Sequence, residues 1–294
     1  MACPIKRVAC FRIVLAMTAW IGLMTLPVAA ASTRPLKIVT SFYPMRIMAL
    51  NVTRDVPDVV LGSLASSGAG CLHDYALTSG DMKQLADADM FIANGAGMEP
   101  FLERVATRYP GLKIITLADG LPLVDGNPHV WVSVGGAIAE VGKLAVELEK
   151  ADPAHAALYR QNAAAYIGKL EALRAGMTAA LAPFRGKGII TFHEAFVYFA
   201  REFGLHIAAV VEREPGSEPG ARELAATIET VKASGIKALF SEPQYPDAAA
   251  RTIARETGAA VHLLDPAVTG PDDPGAYLAI MKKNGEVLAN ALSK

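Results

Sequence analysis

The chain has 294 residues, with 28 basic and 29 acidic side chains, a formal net charge of −1, and 52% hydrophobic residues. That length is enough for two modest domains, and the even charge balance argues against a nucleic-acid surface. Only three cysteines occur, and two of them, Cys3 and Cys10, lie in the first thirty-one residues, so no disulfide framework is expected in the rest.

Residues 1–31 read as a signal peptide. Lys6, Arg7 and Arg12 form a positive start, and Ile13–Leu26 is an apolar run too short to span a bilayer. Small residues around Ala30 and Ala31 then offer a cleavage site. No Cys follows the apolar run to carry a lipid, so a free periplasmic protein is expected. Without this segment the chain carries 25 basic against 29 acidic residues, an ordinary balance for a soluble protein.

Short apolar runs then alternate with longer amphipathic ones. In the first half the predicted strands are "LKIVTSF" from Leu36, "DVVLGSL" from Asp58, "MFIAN" from Met90 and "LKIITL" from Leu112, with helices at Met45–Arg54, Gly80–Ala88 and Met98–Arg108. In the second half they are "GIITF", "HIAAVVE", "IKALFSE" and "AAVHLLD", with helices at Glu194–Phe203, Arg222–Ser234, Asp247–Thr257 and Pro274–Leu292. Between the halves, Asp152 can cap a helix and Pro153 fits its first turn. Nothing stronger than Gly168 and Gly176 interrupts it before Pro183. The expected fold is α/β: two lobes, each a mostly parallel four-stranded sheet with flanking helices, joined by one long rigid helix. The expected boundaries are 32–150 for the first lobe, 151–183 for the linking helix and 184–294 for the second lobe.

In open parallel sheets, ligands bind beyond the carboxyl ends of the strands. His73 follows the second strand in the glycine-rich "ASSGAGCLHDY", and His129 follows the fourth in "ADGLPLVDGNPHVWVS". His193 follows "GIITF" directly, and Asp265 follows "AAVHLL". Their separations of 56, 64 and 72 residues mean that only the fold can unite them. Three imidazoles and a carboxylate make a full tetrahedral set for Zn²⁺, whereas magnesium and calcium prefer oxygen shells. A rigid strut suits a site whose ligands come from two lobes. His155, His206 and His262 are read as structural or solvent-facing. Asp74 and Glu194 adjoin the predicted ligands as outer-sphere or surface carboxylates. Cys71 is read as a buried free thiol, with ligation of a soft metal as the alternative.

These motifs resemble the solute-binding proteins of ABC transporters for zinc and manganese, the ZnuA-type, cluster A-I or TroA-like family, across the whole of residues 32–294. "NPHVWVS" is similar to the family's "DPHxW" motif, and "FHEAFVYFAREFGL" to its third-ligand motif and following helix. "IKALFSEPQ" resembles the segment ending in "FxEPQ", and "HLLDP" the fourth-ligand strand. The resemblance implies His73, His129, His193 and Asp265 as metal ligands, and a His at the third position implies a zinc-type member. It further implies Zn²⁺ as transported cargo rather than a resident cofactor, an ABC-transporter membrane permease as partner, and no enzymatic activity. A periplasmic metallochaperone is a second candidate partner, and a monomer is expected. The chain departs from the family in "CLHDYALTSGD", where a Pro before the first His is lost and Cys71 stands nearby. It also lacks the long His- and acid-rich insertion before the second ligand. Two rival readings stand beside the zinc receptor. One is a manganese or iron receptor on the same scaffold. The other is a zinc hydrolase, which would need Asp265 off the metal and finds no "HExxH" motif in its support.

Overall fold

The structure is a computed structural model, which describes residue 1 and residues 34–211, 220–243 and 248–293. Residues 2–31 of the predicted signal peptide, residues 212–219, Gln244 of the "FxEPQ" motif and the start of the helix expected at Asp247 lie outside the described residues. Ser32–Lys294 forms one compact unit, and two sheets lie inside it.

The first sheet contains β1 (Leu36–Thr40), β2 (Val59–Ser63), β3 (Met90–Ala93) and β4 (Lys113–Thr116), in the spatial order β2-β1-β3-β4. The second contains β5 (Gly188–Thr191), β6 (His206–Val210), β7 (Ala238–Ser241) and β8 (Ala260–Leu263), in the order β6-β5-β7-β8. Every pairing among the described strands is parallel. The eight strands are those expected from the sequence, because continuous apolar runs such as "MFIA" and "ALFS" suit a sheet covered on both faces. The two sheets repeat one topology. In each, the chain reverses direction beside its first strand, between β1 and β3 and between β5 and β7, which opens a crevice at the carboxyl ends.

The helices are α1 (Tyr43–Val52), α2 (Ser79–Asp87), α3 (Leu102–Arg108), α4 (Val134–Ala151), α5 (Ala156–Leu181), α6 (Val197–Phe203), α7 (Ala221–Ser234), α8 (Ala248–Thr257) and α9 (Ala276–Leu292). The sequence reading placed no helix at α4, where Gly135 and Gly136 resemble a loop. The signal was nevertheless present: the Ser133 hydroxyl accepts from the Gly136 N–H at 3.0 Å, and Val134, Ala137, Val141, Leu144 and Leu148 recur at helical spacing and are buried. The linking helix also differs in detail. A 3₁₀ turn at Pro153–His155 precedes α5, whose 26 residues make a strut of about 39 Å, and another at Ala182–Phe184 follows it.

One hydrophobic core runs from the first sheet through α4, α5 and α9 into the inner face of the second sheet. Trp131, Tyr43, Tyr159, Phe91 and Phe240 are among its largest fully buried side chains, each stabilising the fold by roughly 1.5–3 kcal/mol through burial. A smaller cluster with Ile190, Leu239, Val231 and Ile253 fills the outer face of the second sheet. The strap after β8 crosses to the first lobe. Trp131 Nε1 donates to the Pro266 carbonyl at 2.8 Å, Tyr43 Oη to Pro271 at 2.8 Å, and Asn51 Nδ2 to Pro274 at 2.8 Å. Arg46 forks onto Asp272 at 2.6 and 2.7 Å.

Candidate metal centre

His73 is carried by the loop between β2 and α2. Leu72 is fully buried in the core and Cys71 and His73 are only partly buried, so the two flanking side chains face the crevice together. Gly70 enters this loop with φ of 77°, a left-handed conformation that only glycine adopts without strain. The loop closes on α2 through a capping box, in which Thr78 and Asp81 satisfy each other's backbone N–H groups.

His129 sits past β4, on the loop that Pro128 stiffens. Asn94, at the end of β3, donates to the Pro128 carbonyl at 3.0 Å. Asn127 Oδ1 accepts both the His129 backbone N–H, at 2.9 Å, and ring Nδ1, at 3.0 Å. Nδ1 therefore carries the proton, and Nε2 presents its lone pair to the crevice. The second amide arm of Asn127 donates to the Glu194 carbonyl at 3.1 Å, which ties this loop to the turn that holds His193.

His193 lies two residues beyond β5 in extended conformation, before a 3₁₀ turn at Glu194–Phe196. A Ser or Asp there would cap the turn; the imidazole makes no capping bond. Instead Nδ1 lies 3.1 Å from Glu242 Oε1, with 2% and 1% of the two side chains exposed. Glu242 stands just past β7, at the switch point of the second sheet. A carboxylate bonded to Nδ1 fixes the ring and makes Nε2 the nitrogen available to a metal.

One ligand atom from each of Cys71, His73, His129 and His193 lies within 4.8 Å of those of the other three. His73 Nε2 is 3.3 Å from His129 Nε2, and Cys71 Sγ is 3.7 Å from that same nitrogen. The ring centroids of His129 and His193 are 4.7 Å apart and nearly perpendicular. Three of the four residues predicted from the strand ends are thus brought together. Asp265 does not join this cluster. It lies past β8 with backbone N–H and carbonyl both bonded to Asn284, at 2.9 and 2.7 Å, and Oδ1 accepts the Ala267 N–H at 2.8 Å.

The electrostatics suit a cation. Burial, with smaller contributions from the neighbouring His193 and His73, pushes the His129 pKa well below the usual imidazole value, so the ring is neutral and ready to ligate. Burial, opposed by the Ala267 N–H and reinforced by Glu242, raises Asp265 to about 6. Burial and then Glu242 push the Cys71 thiol well up. For Asp265 and Cys71 the cost of ionising falls when a divalent ion enters, because it offsets the negative charge that burial penalises, and for His129 the ion favours the neutral ring that burial already favours.

The orienting groups, Asn127 and Glu242, were not singled out from the sequence. The residues suspected of that role were Asp74 and Glu194; Asp74 is exposed, and Glu194 contributes its carbonyl. A signal for Glu242 existed in "FSEPQ", an acid placed just past a buried strand. His155 pairs with Asp152 at 2.7 Å, His262 stacks at 5.7 Å from Phe240, and His206 is exposed at the start of β6, so none of the three belongs to the centre.

The family described as "Zinc-uptake complex component A periplasmic" matches residues 38–291. The chain belongs to this ZnuA family. Its members are solute-binding receptors for metal transport rather than enzymes. Among curated relatives, the zinc-binding protein AdcA of Streptococcus pyogenes serotype M1 is 30% identical over 287 residues, covering 86% of this chain and 55% of AdcA. The chain thus spans about half the length of the AdcA proteins it matches. The high-affinity zinc uptake system protein ZnuA of Brucella suis biovar 1 is 27% identical over 79% of this chain and 85% of that protein. Among solved structures, the solute-binding protein FpvC of Pseudomonas aeruginosa, in complex with Ni²⁺, superposes with a TM-score of 0.81 at 33% identity, covering 88% of this chain and 97% of FpvC.

Proposed function

We propose that the protein is an extracytoplasmic receptor that captures Zn²⁺ between its two lobes and delivers it to the permease of an ABC transporter. The convergence of three imidazoles from both lobes on one spot, each drawn from a strand end, carries this reading. His73, His129 and His193 supply three nitrogens, which suit a borderline ion and leave one tetrahedral position. Asp265 is the sequence's choice for that position. The loop between β4 and α4 is short and holds no histidine besides His129, so no auxiliary metal-gathering segment takes part. The zinc named in the AdcA and ZnuA relatives supports the cargo. The apolar start of the chain supports export and signal-peptide removal, and the protein is expected to act as a monomer, with a periplasmic metallochaperone as a second partner.

Competition titration of the purified protein against a chromophoric chelator tests the reading. Zinc affinity far tighter than micromolar is expected, lost on His193→Ala or His129→Ala. Micromolar or weaker binding, or binding untouched by both changes, would defeat it. Metal content of protein recovered from its native periplasm distinguishes zinc from manganese or iron as cargo.

A further inference from the structure

The tetrahedral position left by three imidazoles has two claimants, Asp265 and Cys71, and they are placed very differently. Asp265 is pinned at its backbone by Asn284 and at Oδ1 by Ala267, outside the cluster. Cys71 is already inside it. We propose that Cys71 is a metal ligand, its thiolate taking the fourth position ahead of Asp265, so that the centre selects a sulfur-loving borderline ion such as Zn²⁺ against Mn²⁺. This rests on the receptor reading above and deepens it.

Geometry is the main argument. A tetrahedral zinc with Zn–N near 2.05 Å and Zn–S near 2.3 Å separates two ligand nitrogens by about 3.3 Å, and a nitrogen from a sulfur by about 3.6 Å. The distances across the centre are 3.3 Å from His73 Nε2 to His129 Nε2 and 3.7 Å from Cys71 Sγ to His129 Nε2. Two of the three edges of the coordination polyhedron that meet at His129 Nε2 are therefore preformed to within about 0.1 Å of the ideal. Cys71 Sγ lies at hydrogen-bonding and ligand spacing alike from a nitrogen whose lone pair Asn127 has turned toward it, so exchanging the thiol proton for a metal asks for little movement of the loop. Leu72 is the residue of this loop that is fully buried in the core, while Cys71 packs at its edge with Sγ toward the imidazoles.

The local sequence explains how the thiol gets there. Cys71 and His73 are two residues apart with a buried Leu72 between them, so a single loop delivers both donors to one face. Loading is then an exchange: Zn²⁺ enters from solvent, the Zn–S bond forms, and the thiol proton leaves to solvent. Thiolate is a soft donor that zinc accepts readily and manganese poorly.

Cobalt substitution reads the bond directly. The Co²⁺-loaded wild-type protein is expected to show a sulfur-to-cobalt charge-transfer band in the near ultraviolet. The band should be absent from Cys71→Ser and Cys71→Ala and kept in Asp265→Asn. Zinc affinity should fall in both Cys71 variants by more than the ~10–100-fold that loss of an outer-sphere partner costs. Manganese affinity should change far less, so the zinc-to-manganese preference should narrow by at least about tenfold. If the wild-type cobalt protein lacks the band while zinc still binds tightly through the histidines, the Cys71 assignment is overturned and the receptor reading stands. If neither metal binds the wild-type protein, the receptor reading itself falls. The wild-type spectrum decides the question even should a Cys71 variant fold poorly.

Discussion

Replacing Glu140 with Gln should flatten the pH dependence of stability. Glu140 lies on α4 with none of its surface exposed, and neither carboxyl oxygen has a hydrogen-bond partner among the described residues. Burial, then the nearby Glu99, raise its pKa from 4.5 to about 8. Glu99 is better supported, since its two oxygens accept the N–H groups of Asn94 and Gly95 at 2.8 and 2.9 Å. The folded protein therefore holds a proton on Glu140 that the unfolded chain releases. Between about pH 4.5 and pH 8 the folded state binds more protons, so stability falls as pH rises through that window, by up to ~1.4 kcal/mol per unit. From about pH 5.5 to about pH 7.5 the loss due to this one group is roughly 3 kcal/mol, a sizeable part of the 5–15 kcal/mol typical of a fold. Glutamine keeps the shape and cannot ionise. Urea unfolding of the metal-free protein across this range, wild type against Glu140→Gln, is the assay, and the difference between the two stabilities is the quantity to read. It should grow in favour of the variant as pH rises. Parallel curves would show that Glu140 ionises in the fold without penalty, and that the burial argument is wrong.

Glu242→Gln should weaken zinc binding by about 10–100-fold in competition titration while leaving the metal-free protein folded, because it loosens the His193 ring without removing a donor. Zinc at a hundred times its dissociation constant should stabilise the protein by about 2.7 kcal/mol, raising the melting temperature by roughly 2–4 °C per kcal/mol, and a chelator should reverse the rise. Gly136→Ala should destabilise the start of α4, since the added Cβ would overlap the Val130 carbonyl and come within 2.7 Å of Ser133 Oγ. A loss of about 1–3 kcal/mol is expected by thermal melts, with zinc affinity reduced too, because that turn positions His129.

The strands were legible because each is a short apolar run bounded by polar or glycine-rich turns, and fold class followed from their alternation with helices. α4 was missed although its spacing and Ser133 cap were visible, since Gly135 and Gly136 mimic a loop. His73, His129 and His193 could be nominated by a rule about strand ends, which is a property of parallel sheets and not of local sequence. That same rule nominated Asp265, and Cys71 stands in the sequence only as an alternative ligand for a soft metal, because the choice between them depends on side-chain direction. Asn284 on α9 and Leu72 in the loop set those directions, and nothing in sequence spacing links Asn284 to Asp265. Glu242 and Asn127 escaped notice for a similar reason: their role exists only once the rings they hold are in place.

The strap from Pro266 to Pro274 has a consequence for how cargo comes and goes. Swinging the lobes apart would break the contacts of Trp131, Tyr43, Arg46 and Asn51 with it together, at roughly 1 kcal/mol each and on top of the shared core, so a gaping form would occupy fewer than about one molecule in a thousand. The segment carrying Cys71 and His73 is tied to the same strap by the Gly270 N–H on the Ser67 carbonyl at 3.2 Å, and to the first lobe by buried Leu72 and by Tyr75, whose hydroxyl lies 3.1 Å from Asp81. Cargo exchange is therefore expected to proceed with the lobes held together, through movements smaller than a hinge opening.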